Sequence, residues 1–401
     1  MKNILKILWK RHAVLILFVC GLLVFFGYSS GRDLLASWRT SYENATIYWQ
    51  SENDPNFHLR DFISFFQYEQ INEQFGEVTM ETYLSFVRSL PAQPNPWEQS
   101  GFYDVLLTNW GGWSSWLSIF PRNLPMFLAL FVGFFYFFSD MRTRFNQFLF
   151  SSQFSRKEIF WSKWLLILPC LLLSQLLAGI VRYSVFWLNI PREYMNIAFF
   201  DIFPSIAWSM LMFVFWFTIG AVFGMLSGQF ATGILGLASF MIFLFMATNG
   251  IDALLRLIEV LNTGENTSTF ILSNYLGWNT PIMATGSGHL ISWFGHIAII
   301  ALVVLALSIS YQKLSLEENG EFLLLPKMRK ATFIFAIVGM AFISYTNSVQ
   351  IWLSNDFPWT NAHILWSGVP NLIIGTTLMT IISYFIIYQR KGLAKLKLVK
   401  N

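Results

Sequence analysis

Charged side chains are scarce in this sequence of 401 residues. Only 12% of the residues are Asp, Glu, Lys or Arg, whereas soluble domains carry about 25%. Hydrophobic residues make up 55% of the chain and aromatic residues 18%, led by 42 Phe and 17 Trp. This balance excludes an ordinary soluble domain, gives no reason to expect nucleic acid as a partner, and indicates a chain that lies mostly in a lipid bilayer.

Cysteine and catalytic motifs are also nearly absent. The two cysteines, Cys20 and Cys170, lie inside apolar runs, so we expect neither a disulfide framework nor a metal site. The sequence has no G-x-x-x-x-G-K-[ST] phosphate loop, no H-E-x-x-H pair and no G-x-S-x-G elbow. The long apolar runs contain no carboxylate that would relay protons. We therefore expect a protein that is not an enzyme, needs no cofactor and takes its energy from elsewhere.

Eight apolar runs are long enough to be transmembrane helices, because about 20 apolar residues cross roughly 30 Å of hydrocarbon. In chain order, these predicted spans one to eight are residues 13–29, 120–138, 164–188, 205–226, 231–249, 290–311, 331–350 and 367–388. The first two runs are the least regular, so the expected count is seven to eight. The sequence therefore predicts an all-α, polytopic membrane protein with about eight transmembrane helices.

The distribution of charge orients these spans. If the N-terminus is inside, the inner segments hold 18 of the 26 Lys and Arg residues, including every Lys. Those inner segments are residues 1–12, 139–163, 227–230, 312–330 and 389–401. An excess of Lys and Arg marks cytoplasmic segments, so the sequence predicts that both termini are cytoplasmic (N-in/C-in) and that residues 389–401 are a basic tail.

The first twelve residues interleave basic and apolar side chains. This pattern predicts an amphipathic helix over residues 1–12 that lies in the inner headgroup layer. A cleavable signal peptide over residues 1–30 is the alternative. The length of the apolar run and the amphipathic start both disfavour cleavage.

Two outer segments are expected to be partly helical. Residues 30–119 contain no Lys and carry two amphipathic patterns, which predict a helical extracellular cap between spans one and two. A structural lid and a ligand-binding site both remain open as roles for this cap. Residues 250–289 contain a short helix in which Asp252, Arg256 and Glu259 are spaced for ion pairs. This helix is either a surface connector or a gate element.

Three glycines follow one another at intervals of four residues near the end of span four. They are Gly220, Gly224 and Gly228. Small residues at this spacing let helix backbones approach closely in a membrane. Packing within one chain and an interface between subunits both explain the pattern.

The inner segment 139–163, here called the docking segment, is basic and rich in Phe. A helix with apolar side chains and a basic rim can dock into a groove on a soluble protein. Ser155 and Glu158 have capping-box spacing, which predicts a helix that starts after Ser155 and continues through Lys163 into span three. Binding of this segment to the inner leaflet is the alternative. The residues expected to contact a partner are Arg142, Arg144, Phe148, Phe154, Ser155, Arg156, Lys157 and Glu158.

The order of these motifs resembles that of ABC-2-type ABC transporter permeases. The run Ser155-Arg156-Lys157-Glu158-Ile159, followed by Lys163, is similar to the family's S-R-[KR]-x-[IL] motif between spans two and three. The amphipathic N-terminus resembles the family's connecting helix, and the outer helix after span five resembles its short extracellular helices. The inner loop from Lys313 to Leu323 resembles the K-x-x-L-E-x-x-G-E loop of larger permeases from Gram-positive clusters that respond to cell-wall antibiotics. Its matching residues include Glu317, Gly320 and Glu321.

The resemblance implies the membrane subunit of an exporter for a hydrophobic or amphipathic compound or a peptide. In that family a separate cytosolic ATP-binding subunit contacts the segment between spans two and three. Two permease chains, identical or paralogous, assemble in the bilayer. The resemblance thus implies a multi-pass protein of a bacterial cell membrane. This chain departs from the family in two features. The core of the family has six spans, whereas eight are predicted here, and the first outer segment of this chain is larger than that of the simplest exporters.

Two other classes of protein fit the composition. One is a membrane sensor or scaffold whose extracellular cap binds an antibiotic or peptide without transport. It predicts ligand binding that does not stimulate ATP hydrolysis by a partner. The other is a lipid-modifying enzyme, which needs a cluster of acid, base or metal-binding residues that the sequence does not show.

Overall fold

A computed structural model describes residues 2–51, 119–143, 145–190, 202–263, 290–314, 324, 328–353 and 361–398. Nearly all of these residues are α-helical, which confirms the all-α class predicted from the sequence. In chain order, the helices are α1 (Lys2–Ser51), α2 (Ile119–Arg142), α3 (Phe145–Phe150), α4 (Arg156–Asn189), α5 (Ile202–Leu226), α6 (Phe230–Thr263), α7 (Leu290–Gln312), α8 (Met328–Leu353), α9 (Asn361–Ser367) and α10 (Val369–Leu398).

Within the described ranges, six helices are long and apolar enough to cross a membrane. They contain the predicted spans one, three, four, six, seven and eight. The predicted spans two and five fall on shorter apolar stretches, Phe127–Asp140 of α2 and Phe230–Leu244 of α6. In α2 the first turns contain Arg122, Asn123 and Pro125, so its apolar stretch begins late. The structure is compatible with a multi-pass membrane protein in which these six described helices are long and apolar enough to cross.

Helices α1 and α6 extend well beyond their predicted boundaries, as does α10, which continues past span eight to Leu398 in the predicted tail. Helix α1 is continuous over Lys2–Ser51, so the amphipathic residues 2–12 and the span 13–29 belong to one helix that continues into the outer segment. Helix α6 continues from span five to Thr263, so the outer helix predicted after span five is its last part. Neither helix contains proline, the residue that most strongly ends a helix. The rest of the predicted extracellular cap, residues 52–118, lies outside the described ranges.

The chain divides into two compact units. The first contains Met1–Pro125, Ser162–Phe213 and Met283–Phe294, and the second contains Met126–Trp161, Val214–Ile282 and Gly295–Asn401. In the first unit α1 packs on α4, since a Cβ at Gly27 would collide with the backbone of Ala178. The thiol of Cys20 donates a hydrogen bond to the carbonyl oxygen of Cys170 at 3.6 Å. The two cysteines therefore lie close together on neighbouring helices.

In the second unit α2 and α5 cross with their backbones in contact. A Cβ at Gly220 would collide with the carbonyl oxygen of Leu130, and a Cβ at Gly224 would collide with that of Phe134. On the opposite side of the contact, Gly133 lies equally close to the backbone of Phe217. Two of the three predicted small residues thus serve packing within the chain. The third, Gly228, lies in the connection after α5, where it is half-buried.

The last turns of α6 pack on α8, also within the second unit. Leu257 and Val260 of α6 form a buried cluster with Val349 and Leu353 of α8. Nearby, a Cβ at Gly250 would lie 2.5 Å from the hydroxyl oxygen of Thr346 on α8. This part of α6 is a packed helix rather than a loosely attached connector.

Candidate functional site

The docking segment is joined to the end of α7 by a cluster of polar and aromatic side chains, all within the second unit. We call this cluster the Tyr311 junction. Its members are Asn146 and Phe150 of α3, Arg156 and Phe160 of α4, and Tyr311, Gln312 and Leu314 at the end of α7.

Helix α4 begins with a reciprocal capping box. The hydroxyl oxygen of Ser155 accepts a hydrogen bond from the backbone N–H of Glu158 at 3.2 Å. In return, a carboxylate oxygen of Glu158 accepts one from the backbone N–H of Ser155 at 3.0 Å. These bonds satisfy N–H groups that have no partner within the helix, so they fix its first residue, Arg156. The capping box and the continuous helix into span three, to Asn189, are as the sequence predicts.

The same capping box acts on the acidity of Glu158, which precedes the predicted span 164–188. Its carboxylate accepts hydrogen bonds from the backbone N–H of Ser155 and from the hydroxyl of Ser155. Hydrogen bonds to the charged form stabilise it. They lower the pKa of Glu158, the backbone bond contributing most.

Arg156 binds the C-terminal end of α7. Its Nη1 donates to the carbonyl oxygens of Gln312 and Leu314, both at 2.9 Å. The last carbonyls of a helix lack partners within the helix and carry a partial negative charge, so a guanidinium suits them in both respects. In addition, Cζ of Arg156 lies 4.6 Å from the centroid of the Phe150 ring, a cation–π distance. The guanidinium is therefore held between α3 and α7.

Tyr311 is fully buried in the last turn of α7. Its hydroxyl donates to the side-chain oxygen of Asn146 at 3.3 Å. Its ring centroid lies 5.5 Å from that of Phe150, edge to face, and 5.5 Å from that of Phe160. Each such aromatic pair adds about 0.5–1.5 kcal/mol beyond the burial of its area. The junction thus holds α3, the start of α4 and the end of α7 together by packing as well as by hydrogen bonds.

Exposed side chains lie on the same three elements. Phe148 of α3 exposes 59% of its surface, and its ring stacks on that of Phe145 with centroids 6.2 Å apart. Lys157 in the first turn of α4 and Lys313 directly after α7 are also exposed. The segment therefore presents an apolar ring and basic side chains outward, while Arg156 is bound inside the chain.

The structure places the predicted partner-binding residues in different surroundings. Four are exposed: Phe148, Ser155, Lys157 and Glu158. Two are half-buried: Phe154 and Arg156. Arg142 ends α2 with its side chain not described, and Arg144 lies outside the described residues, as do Glu317, Gly320 and Glu321 of the second inner loop.

The second inner loop, residues 312–330, is attached at two points. Its start accepts both hydrogen bonds of Arg156. Farther along, the buried Leu324 donates its backbone N–H to the carbonyl oxygen of Leu226 at 2.9 Å, where α5 ends. The inner turn 227–230 follows directly. Hydrogen bonds thus bring three segments that the predicted topology places on the inner side to one end of the second unit.

Sequence reasoning did not identify the contact between Tyr311 and Asn146 at the centre of the junction. Tyr311 ends a predicted span, where an aromatic ring is expected at the membrane interface, and this offers no hint of a buried hydroxyl. Asn146 lies between Phe145 and Gln147 and matches no motif. Since these residues are 165 positions apart, only the fold brings them together.

The chemistry of the junction is binding and packing rather than catalysis. It combines a guanidinium, an amide, a phenol and aromatic rings, which do not form an acid–base pair. In the part of the chain that the structure describes, no three His, Cys, Asp or Glu side chains are placed to hold a metal ion. No protein-family model, curated protein or solved structure matches this chain.

Proposed function

We propose that this chain is the membrane subunit of an ABC transporter, driven by a separate cytosolic ATPase that binds the docking segment. The observation that carries the proposal is the exposed surface of Phe148 and Lys157 on a capped segment that continues directly into α4. A partner that moves this surface also moves the inner end of a membrane-spanning helix. The chain lacks a phosphate loop of its own, so ATP hydrolysis belongs to the partner.

In this proposal the chain crosses a bacterial cell membrane eight times, with both termini inside. The short apolar stretch of α6 is span five, and one geometric argument supports it. Leu226, just before α6, and Leu324, after α7, are hydrogen-bonded and so lie at the same end of the second unit. Because α7 is long enough to cross, α6 must cross as well for the chain to return to that end. The stretch Phe127–Asp140 of α2 is span two by the charge distribution.

The assembly contains two permease chains, identical or paralogous, with an ATPase beneath each docking segment. Closure of the ATPase dimer displaces the docking segments, and α4 carries the displacement into the bilayer. The cargo is a hydrophobic or amphipathic compound or a peptide, and it is exported. The resemblance of the motifs supports this direction and cargo class.

The first prediction concerns the docking surface. The double change Phe148→Ala and Lys157→Glu removes the exposed ring and reverses the exposed charge without touching the junction contacts. We expect it to release the cytosolic ATPase that co-purifies with the native chain, while the permease remains in the membrane fraction.

The matched control changes an exposed pair on α8. Phe335, of which 54% is exposed, and the exposed Lys330 belong to the same unit but not to the docking segment. Phe335→Ala with Lys330→Glu should leave co-purification intact. If the double variant Phe148→Ala, Lys157→Glu retains the ATPase at the native level, the proposal is contradicted. A native chain that binds an antibiotic or peptide but never stimulates ATP hydrolysis would instead indicate a sensor.

A further inference from the structure

We propose that Arg156 is a positioning residue that makes the inner end of α7 move together with the docking segment. The proposal deepens the proposed function, on which it rests for its meaning in transport, because it adds predicted span six to the helices that an ATPase moves. Its first test uses this chain alone and needs no ATPase.

The geometry favours a restraint rather than a docking contact. One nitrogen of Arg156 donates to two carbonyl oxygens, those of Gln312 and Leu314, at equal distances of 2.9 Å. Two acceptors on one nitrogen fix the direction of the side chain as well as its reach. The Phe150 ring adds a third contact, with its centroid 4.6 Å from Cζ of Arg156. A group held by three contacts within its own chain has little left to offer to a groove on another protein.

The neighbouring residue shows the contrast. Lys157 carries the same charge, is exposed, and lies one residue later in the same turn of α4. The two basic residues of the S-R-K run thus have separate tasks. Lys157 faces the partner, and Arg156 faces α7.

With this restraint, a movement of the docking segment reaches the predicted membrane-spanning helices by two routes. The first is covalent, along α4. The second passes through Arg156 to the end of α7 and the start of the inner loop 312–330, which is attached again where Leu324 binds Leu226. Removing Arg156 leaves the first route intact and weakens the second, which then depends on the remaining contacts of the junction, those of Tyr311 among them.

The second prediction is tested by a distance measurement. In a background with Cys20→Ser and Cys170→Ser, spin labels are attached at Gln153→Cys and Lys313→Cys, two exposed positions on either side of the contact. Pulsed electron resonance in lipid nanodiscs should give one narrow distance distribution for the native junction. Arg156→Ala should broaden it and add a longer population.

Two further variants separate the restraint from charge and from folding. Lys157→Ala removes an equal charge from the adjacent residue and should leave the distribution narrow. Arg156→Lys keeps the charge but lacks the fixed planar guanidinium, so a partial broadening is expected. If Arg156→Ala unfolds the chain, the distribution of Arg156→Lys decides. A distribution as narrow as the native one in both Arg156 variants would overturn the proposal.

Co-purification and ATP hydrolysis supply the second arm. With the ATPase that co-purifies with the native chain, Arg156→Ala should keep the partner bound but lose the increase in ATP hydrolysis that the native permease gives it, whereas the Phe148 and Lys157 double variant should lose the partner. Release of the ATPase by Arg156→Ala to the same extent would make Arg156 a docking residue and overturn its positioning role. If the native chain binds no ATPase, the proposed function fails. The distances between the labels at positions 153 and 313 still decide whether Arg156 joins α4 to α7.

Discussion

Ser155 and Glu158 determine where α4 begins, and this sets the direction of the residues between them. Each side chain of the pair accepts a hydrogen bond from the other's backbone N–H. The helix therefore cannot start one residue earlier or later without losing both bonds. A shift of one residue rotates a helical side chain by about 100°, which would turn Arg156 away from α7. Ser155 and Glu158, both exposed, thus control the contact between Arg156 and α7, in which neither of them takes part.

The third prediction concerns this cap. Ser155→Ala removes the hydroxyl that accepts the Glu158 N–H and should destabilise the first turn by about 1 kcal/mol. Amide hydrogen exchange at residues 156–160 should become faster. Glu158→Gln is the matched control, since Gln also completes a capping box, and its exchange should stay close to the native rate. Equal exchange in the native chain and in Ser155→Ala would show that the contacts of α7 alone hold this turn.

The acidity of Glu158 adds a dependence on pH. Its pKa in the folded chain is lowered, so its stabilising contribution is present above the ordinary pKa of Glu, about 4.3, and is lost as the pH falls through the lowered value. Protection of the first turn, corrected for intrinsic exchange, should therefore decrease as the pH is lowered below the ordinary pKa of Glu and through the lowered pKa of Glu158. Glu158→Gln does not ionise and should show no such decrease.

The two halves of this site differed in how far the sequence could predict them. The capping box was predictable because its partners lie three positions apart and a helix start imposes that spacing. The contact of Arg156 with Gln312 was not, since 156 positions separate the two residues. Moreover, its acceptors are backbone carbonyls, which every residue possesses. A basic residue beside Phe and Lys suggested a partner protein, whereas the structure placed its guanidinium on the chain's own helix end.

At the scale of helices, the glycines of α2 and α5 set the distance between two predicted spans. Gly133 of α2 and Gly220 and Gly224 of α5 face the backbone of the opposite helix at distances that leave no room for a Cβ. Helices in a bilayer gain little from hydrophobic association, so close backbone packing is a main source of their attraction. The small residues predicted from the sequence therefore contribute to the stability of the second unit.

The fourth prediction compares glycines in the same unit. Gly220→Leu drives a side chain into the carbonyl oxygen of Leu130 and should destabilise the protein by about 1–3 kcal/mol or more. Among the described residues, no atom lies within 4 Å of a Cβ added at Gly295 of α7, so Gly295→Ala should be neutral or slightly stabilising. Thermal unfolding in detergent, followed by size-exclusion fluorescence, measures both. Equal unfolding temperatures for the two variants would exclude a close contact between α2 and α5.

Helix boundaries were less predictable than helix positions. Apolar runs identify where the chain can cross a bilayer, but they do not show where a helix ends when no proline or cap intervenes. Helix α1 therefore continues to Ser51, far beyond its predicted span, and α6 continues to Thr263. In α6 the reason is packing, because Leu257 and Val260 are buried against α8 and keep the outer turns helical. Such a contact between distant helices has no local signal.

At the scale of the whole molecule, charge and geometry give independent information on topology. Charge assigns the docking segment and the loop 312–330 to the inner side, and the predicted order of the spans places the uncharged turn 227–230 there as well. Hydrogen bonds bring the same three segments to one end of the second unit. These hydrogen bonds do not depend on the charge rule, and they agree with the predicted topology. They support an arrangement in which α4 leaves that end and α5 returns to it, and in which α6 leaves it and α7 returns.

The fifth prediction tests this arrangement and the side on which a partner can bind. Single cysteines are introduced into the Cys20→Ser, Cys170→Ser background at two exposed positions. Asn262→Cys is near the end of α6, and Lys313→Cys is directly after α7. A membrane-impermeant maleimide added to intact cells should label Asn262→Cys, whereas Lys313→Cys should react only after the membrane is opened. Labelling of both positions from the same side would mean that α7 does not separate them, so α6 and α7 would not be a pair that leaves the inner side and returns to it. A reversed pattern would place the docking segment outside the cell, where no cytosolic ATPase reaches Phe148 or Lys157, and would remove the basis of the proposed function while leaving the Arg156 contact unchanged.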